Sequence, residues 1–215
     1  IATLKDGRFV RIHGPVDGRK LAIVNPSSGS IINMKCEFTH FSPTFASDGS
    51  RLVAFGASSS EFQTLVEFDL ESATIKEVIR PNPMPISKSF APQIREITVS
   101  GSAREVKVIL HHATNPEHPK PGPTPLLVQV HGGPTAHSSA TVQLDYLYWT
   151  TRGFTIADIN YGGSTGYGSK YRHLLDGKWG LVDYEDVIAS VKHLIEAGIA
   201  DPKKIFISGG SAGGF

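Results

Sequence analysis

The chain has 215 residues, of which 40% are hydrophobic and 19% charged, with a formal net charge of +1. That is the composition of a globular protein with room for one large domain or two small ones. A near-neutral balance without a basic run argues against a nucleic-acid partner. No apolar run approaches the roughly 18–20 residues that span a bilayer, so no membrane partner is expected. Cys36 is the single cysteine; an internal disulfide is excluded, and a reducing, cytoplasmic setting is favoured. The chain starts at Ile1 without a signal-peptide pattern and stops at Phe215, and both ends read as cut.

Residues 1–80 read as short strands separated by turn signals. KDGR (5–8), VDGRK (16–20), NPSSGS (25–30), SDGSR (47–51) and ASSS (57–60) punctuate β-rich runs such as LAIV (21–24), RLVAF (51–55), QTLVEFDL (63–70) and TIKEVI (74–79). Asp-Gly pairs between such runs mark hairpins, because glycine supplies the positive φ the turn requires. The regular spacing fits antiparallel blades or a small sandwich. FSPTFASDGSRLVAF (41–55) with the hairpin after it has the look of a β-propeller blade.

PNPMPISKSFAP (81–92) is proline-rich and aperiodic, which suggests a boundary between residues 1–86 and 87–215. NPEHPKPGPTP (115–125) is either a polyproline ligand or a surface loop; the strands EVKVILHHA (105–113) and PLLVQV (125–130) beside it favour the loop. From residue 125 the texture changes. PLLVQV is a continuous apolar run of the kind found in strands buried on both faces. A helix around 141–152, the strand FTIADIN (154–160) and a helix over 183–197 follow. In that last helix Tyr184, Val187, Ile188, Val191, Leu194 and Ile195 form the apolar face. Asp183, Glu185, Asp186, Lys192 and Glu196 fill the other face, with Asp183 as N-cap and Gly198 as stop. Alternating strands and helices predict a parallel α/β sheet.

The strand IFIS (205–208) runs straight into Gly209-Gly210-Ser211-Ala212-Gly213. G-x-S-x-G between strand and helix is the spelling of a nucleophile elbow, a tight turn that holds a serine hydroxyl clear of the sheet. Small residues at 209, 212 and 213 suit such a turn, since backbone crowds against backbone there. HGGPTA (131–136) follows PLLVQV directly. Acyl transfer needs amide donors for a developing oxyanion; the residue after the serine, Ala212, and Gly133 or its neighbour are the candidates. His131 reads as a structural hydrogen-bonder rather than as the base, since the chain order in this type of hydrolase is serine, acid, histidine. No H-x-x-x-H or H-E-x-x-H pattern occurs, so neither a metal nor any other cofactor is expected.

HGGP (131–134), NYGGSTGYG (160–168), GKWGLVDYEDV (177–187) and GGSAGGF (209–215) stand in order and at ordinary spacing. Together they resemble the prolyl oligopeptidase family of serine peptidases, and most nearly its acylaminoacyl-peptidase and dipeptidyl-peptidase-like branch. The likeness is tight over about residues 125–215 and weaker over 1–80. It implies the last blades of a β-propeller over 1–86, then the first half of an α/β-hydrolase domain over 87–215. It implies Ser211 as nucleophile, Ala212 and Gly133 as oxyanion donors, and Gly209, Gly210, Gly213, His131, Tyr161 and Tyr167 in support. Short peptides or acyl-peptides are the implied substrates, and a homo-oligomer is compatible with the resemblance. The triad acid and histidine are expected beyond residue 215, which would leave the 215-residue chain inactive by itself. A carboxylesterase or lipase of the same fold, and a non-catalytic propeller scaffold, are the competing readings.

Overall fold

The turn signals of the first half each close a hairpin. A computed structural model describes residues 2–80, 82–101, 103–119 and 121–215; Pro81 and Lys120, members of the two proline-rich stretches, lie outside the described residues, as does Ile1. The chain forms two compact units, residues 1–86 and 87–215.

In the first unit, β1 (Ala2–Thr3), β2 (Phe9–His13), β3 (Lys20–Val24) and β4 (Ile31–Asn33) make one four-stranded sheet, in that order. A second sheet contains β5 (His40–Ser47), β6 (Arg51–Ala57), β7 (Thr64–Asp69) and β8 (Thr74–Arg80), again in chain order. Every pair is antiparallel. Both sheets are therefore simple meanders, without the long crossing connections of a Greek-key sandwich. Alternation along β2, β3, β6 and β7 sends Val10, Leu21, Ile23, Leu52, Ala54, Val66 and Phe68 into one shared core. The turn at 48–51 shows how local chemistry fixes register. Asp48 accepts hydrogen bonds from the amides of Ser50 (2.9 Å) and Arg51 (2.8 Å), and Gly49 takes φ +101°. Those donors hold the Asp48 carboxyl well below the usual carboxylate range.

The second unit is built on a five-stranded sheet. Its strands are β9 (Ile94–Ser100), β10 (Glu105–His111), β11 (Thr124–Val130), β12 (Thr155–Asn160) and β13 (Ala200–Gly209), in the spatial order β13-β11-β12-β10-β9. β11, β12 and β13 are parallel, as the alternating pattern predicts. β9 and β10 are not: they pair as an antiparallel hairpin, and β10 also runs antiparallel to β12. The connection explains the difference. Only a few residues separate β9 from β10, whereas a parallel crossover needs a dozen or more.

Val130 pairs with Ile159 on one side and with Gly209 on the other. The carboxyl ends of the three parallel strands thus finish level, at the edge where α/β sheets place their ligand sites. The core against one face is apolar, with Val106, Val108, Leu110, Leu126, Val128, Ala157 and Ile159 almost wholly buried, and Leu127, Tyr146 and Ile156 pack against the other.

Among the described residues three α-helices complete the unit: α1 (Leu144–Thr150), α2 (Ser169–Arg172) and α3 (Val182–Glu196). α3 corrects the sequence reading in three respects. Its start is set by the Lys178–Leu181 turn, where Lys178 O accepts from the amides of Leu181 and Val182; Asp183 lies inside the first turn and makes no cap. Gly198, at φ +67°, does follow the last turn as expected. The predicted apolar face is also rotated. Tyr184 is 66% and Ile188 39% exposed, while Val182, Asp186, Ser190 and Leu194 are buried at spacings of four. Asp186, expected on the polar face, is 2% exposed. Arg104 at the β9–β10 turn draws it inward, its Nε donating to Asp186 Oδ1 over 2.7 Å. On the opposite face of the sheet Tyr146 of α1 donates to buried Asp158 of β12 (2.7 Å). His111 Nε2 stands 3.3 Å from the other carboxylate oxygen but out of line for a hydrogen bond.

Candidate active site

Three loops meet where β11, β12 and β13 end. The first is the serine turn. After Gly209 the chain bends, and Ser211–Gly214 form a single 3-10 turn with Gly213 N donating to Gly210 O (3.0 Å). Ser211 adopts φ +55° with its side chain exposed. A serine in the left-handed region is strained, and the strain is held by crowding on both sides. A Cβ on Gly213 would collide with the carbonyl of Val130 and stand 2.9 Å from His131 O; one on Gly209 would run into the carbonyl of Gly213. Gly210 is different: nothing lies within 4 Å of a Cβ placed there. The turn therefore needs glycine at 209 and 213 and merely contains it at 210.

The second loop, His131–Ser138, passes directly over that turn. A Cβ on Gly132 would lie 2.8 Å from Gly210 O and 3.3 Å from Ser211 Cβ. The segment that the sequence singles out for amide donation thus touches the serine turn. Gly132, outside the expected oxyanion pair, makes the contact. Gly133 follows at φ +52°, and its carbonyl accepts from Ala136 N. That conformation favours a residue without a Cβ.

The third loop, Asn160–Gly168, is laced to the second. Tyr161 is buried, stacks on the His131 ring at 4.4 Å and 16°, and donates through Oη to His131 O (3.2 Å). His131 Nε2 meets Ser164 Oγ at 2.7 Å, and its Nδ1 lies 3.1 Å from Gly132 O. Thr165 N donates to Ala136 O (2.9 Å), and Asn160 exchanges side-chain bonds with both the amide and the carbonyl of Ser138. Tyr167 Oη donates to Glu96 Oε2 (2.7 Å) and accepts from Asn160 Nδ2 (2.9 Å). Burial, then the Glu96 carboxylate, push the Tyr167 phenol far above its usual range. Burial, with the Asp183 charge behind it, raises Tyr161 to about 12. Both phenols stay protonated and act as hydrogen-bond struts.

The Gly132 carbonyl, which can only accept, places a proton on His131 Nδ1, while Ser164 can serve Nε2 as donor or as acceptor. Ser164 Oγ lies 2.8 Å from Tyr161 O as well as 2.7 Å from His131 Nε2, and Ser164 N already donates to Tyr161 O (2.9 Å). A neutral imidazole with its proton on Nδ1 donates to Gly132 O and accepts from Ser164, satisfying every group. Burial favours that neutral form by pushing His131 below the ordinary imidazole range, partly offset by the Gly132 carbonyl and the Asp158 charge. With both nitrogens engaged, His131 has none left to take a proton from Ser211.

Sequence reasoning missed Asn160, Ser164, Asp186, Arg104 and Glu96. The first three sit inside the quoted motifs, but a hydrogen bond to a loop thirty residues away leaves no periodic signal. A cleft of about 660 Å³ bordered by Asn115, His118, Thr124 and Arg152 opens beside the start of β11, the opposite end of that strand from Val130. The candidate residues Ser211, Ala212 and Gly133 lie on the glycine loops and not along this cleft.

Comparison with known proteins bears on the same residues. A family model described as the prolyl oligopeptidase family matches residues 140–215. That segment is similar to the prolyl oligopeptidase family. An acylamino-acid-releasing enzyme of Arabidopsis thaliana is 43% identical over 91 residues, 42% of this chain and 12% of the relative. The dipeptidyl aminopeptidase BIII of Pseudoxanthomonas mexicana is 27% identical over 176 residues, 78% of this chain and 25% of the relative. The solved structure of a Mycobacterium tuberculosis puromycin-hydrolyzing peptidase covers 99% of this chain with a TM-score of 0.91 at 34% identity, and this chain covers 33% of it. The chain thus spans about an eighth to a quarter of these curated relatives and a third of the solved one. Its fold is that of the prolyl oligopeptidase family: blade-type β-sheets followed by α/β-hydrolase sheet.

Two outcomes follow from the crowding and the buried ring. Gly213→Ala should destabilise the protein by about 2–3 kcal/mol or more, because its Cβ meets fixed backbone rather than a mobile side chain. Gly210→Ala should stay within about 0.5 kcal/mol of the parent; equal denaturant midpoints for the two variants would refute the crowded-turn description. Because the folded state disfavours the protonated form of His131, its contribution to stability is intact above the unfolded imidazole value of about 6.5 and declines as pH falls below it. His40 and His112, also lowered by burial, add slope of the same sign. Melting temperatures measured from about pH 7 to 5 should fall less steeply in His131→Gln than in the parent; an unchanged slope would show that the ring is not held neutral.

Proposed function

We propose that this chain supplies the nucleophile and the oxyanion-binding loop of a serine peptidase that cleaves short peptides or acyl-peptides. In this reading residues 1–86 are the closing blades of a propeller and residues 87–215 the opening half of the hydrolase domain. The observation that carries it is Ser211: an exposed serine at φ +55°, on a turn too crowded for side chains at 209 and 213, directly beneath Gly132.

Ser211 Oγ attacks the substrate carbonyl carbon while a general base removes its proton. The carbonyl oxygen gains the negative charge, and the amides of Ala212 and Gly133 donate to it. The C–N bond then breaks as the amine leaves with the proton, giving an acyl-Ser211 ester that water hydrolyses. Because His131 is committed at both ring nitrogens, it is not the base; in the serine, acid, histidine order of this type of hydrolase the acid and base follow Ser211. The names of the similar proteins, an acylamino-acid-releasing enzyme, a dipeptidyl aminopeptidase and a puromycin-hydrolyzing peptidase, support an amide or peptide substrate.

The test uses the full-length protein that carries this chain. A fluorophosphonate should form one adduct, on Ser211, and peptide or acyl-peptide amides should be turned over faster than simple alkyl esters. Ser211→Ala should abolish the adduct and reduce kcat by about 10⁴- to 10⁶-fold. Labelling that survives in Ser211→Ala, or hydrolysis confined to esters, would remove the assignment.

A further inference from the structure

The buried ion pair between α3 and the β9–β10 turn touches neither the serine turn nor the His131 loop, yet a chain of contacts through the 160–168 loop joins it to both. Asp186 is 2% exposed. Its two oxygens have different partners: Oδ1 accepts from Arg104 Nε (2.7 Å), and Oδ2 accepts from the amide of Gly162 (2.8 Å). The loop is pressed against the helix there, because a Cβ on Gly162 would lie 2.9 Å from Val182 and 3.2 Å from Asp186. Tyr161 and Ser164 flank this anchored amide and are the two residues that grip His131, one through its carbonyl and one through its ring. His131 is followed by Gly132, which packs on Gly210 and Ser211.

A buried ion pair is a poor way to gain stability, since apolar side chains of similar size generally serve as well or better. Its distinctive property is directional: a carboxylate fixed by Arg104 on one oxygen presents the other to a single amide. Burial raises the Asp186 pKa while the bonds from Gly162 and Arg104 oppose that rise, so the group is costly to bury and depends on both partners.

We infer that Asp186 is a positioning residue for the reaction, acting through Gly162, Ser164 and His131 to fix the height of the Gly132–Gly133 backbone over Ser211. The inference rests on the catalytic reading of Ser211 given above. Arg104 aims the carboxylate, and Glu185, which pairs with Arg104 Nη2 at 2.7 Å, supports the guanidinium from the solvent side. Loss of the anchor lets the 160–168 loop settle differently, and the oxyanion donors move by a fraction of an ångström. Misplacement on the 1 Å scale costs about 100-fold in rate.

The experiment compares kcat, KM and melting temperature in the full-length protein. Asp186→Asn keeps the shape but turns one of the two acceptors into a donor that faces either Arg104 or the Gly162 amide. It should lower kcat by about 10- to 100-fold with KM within about twofold. Arg104→Met should do the same, and Arg104→Lys should recover most of the loss. Ser164→Ala, a small change that leaves the ion pair intact, should show the same kcat-selective defect and decides the matter if Asp186→Asn does not fold. Variants that melt at lower temperature but keep the parent kcat when assayed well below their melting points would reduce the pair to an anchor for α3 and overturn the inference. A Ser211→Ala control separates the two levels: if it retains turnover, the catalytic reading itself has failed, whatever Asp186 does.

Discussion

Everything at the sheet's carboxyl edge depends on how closely β11 and β13 approach where they end. Their ladder runs up to Val130 and Gly209, and the chain then turns back so tightly that the Val130 and His131 carbonyls occupy the space a Cβ on Gly213 would need. Glycine is required there by contact between backbones. That contact forces the bend, the bend places Ser211 at φ +55°, and the same closeness brings Gly132 over the serine. Strain of about 1–3 kcal/mol in such a residue persists only where the surroundings over-determine it. Two parallel strands paired on either side of Val130, above a large apolar cluster, supply that surrounding rigidity.

A rigid turn would be of little use under a loose loop. The His131–Ser138 segment has no regular secondary structure, yet it is fixed by bonds to the neighbouring 160–168 loop and by a stacked Tyr161. The polar groups involved are mostly buried, where an unmade hydrogen bond costs about 1–3 kcal/mol. Each bond is thereby made obligatory, and the two loops hold one arrangement. The neutral tautomer of His131 is part of that arrangement: burial disfavours a charged ring between the two loops. Rigidity at this edge therefore comes from satisfied polar groups, while rigidity beneath it comes from packing.

Much of this could be read from the residues. The hairpins of the first unit announce themselves because Asp-Gly and Asn-Pro turns act locally, and the Asp48 turn forms as its side-chain chemistry dictates. The parallel strands and the serine turn were equally plain, since IFIS runs directly into the glycines. What remained hidden was tertiary. The antiparallel β9–β10 hairpin could not be told from a parallel strand by apolarity alone. The face of α3 was misjudged because Arg104, 82 positions away, compensates the burial of Asp186 and turns Tyr184 outward. Gly132 and Gly133 have the same composition in the sequence, and only the packing distinguishes the one that touches Ser211 from the one that turns the loop. Gly210, read as part of the elbow's support, is uncrowded for the same reason.

The claim that a strained serine faces amides from two separate loops is tested most directly by the crystal structure of the full-length protein after reaction with a fluorophosphonate. The account predicts a phosphoryl oxygen within hydrogen-bonding distance of the backbone nitrogens of both Ala212 and Gly133, with Ser211 still at positive φ. An adduct whose oxygens all point to solvent, or a Ser211 relaxed to ordinary helical geometry with the Gly132 contact broken, would contradict it.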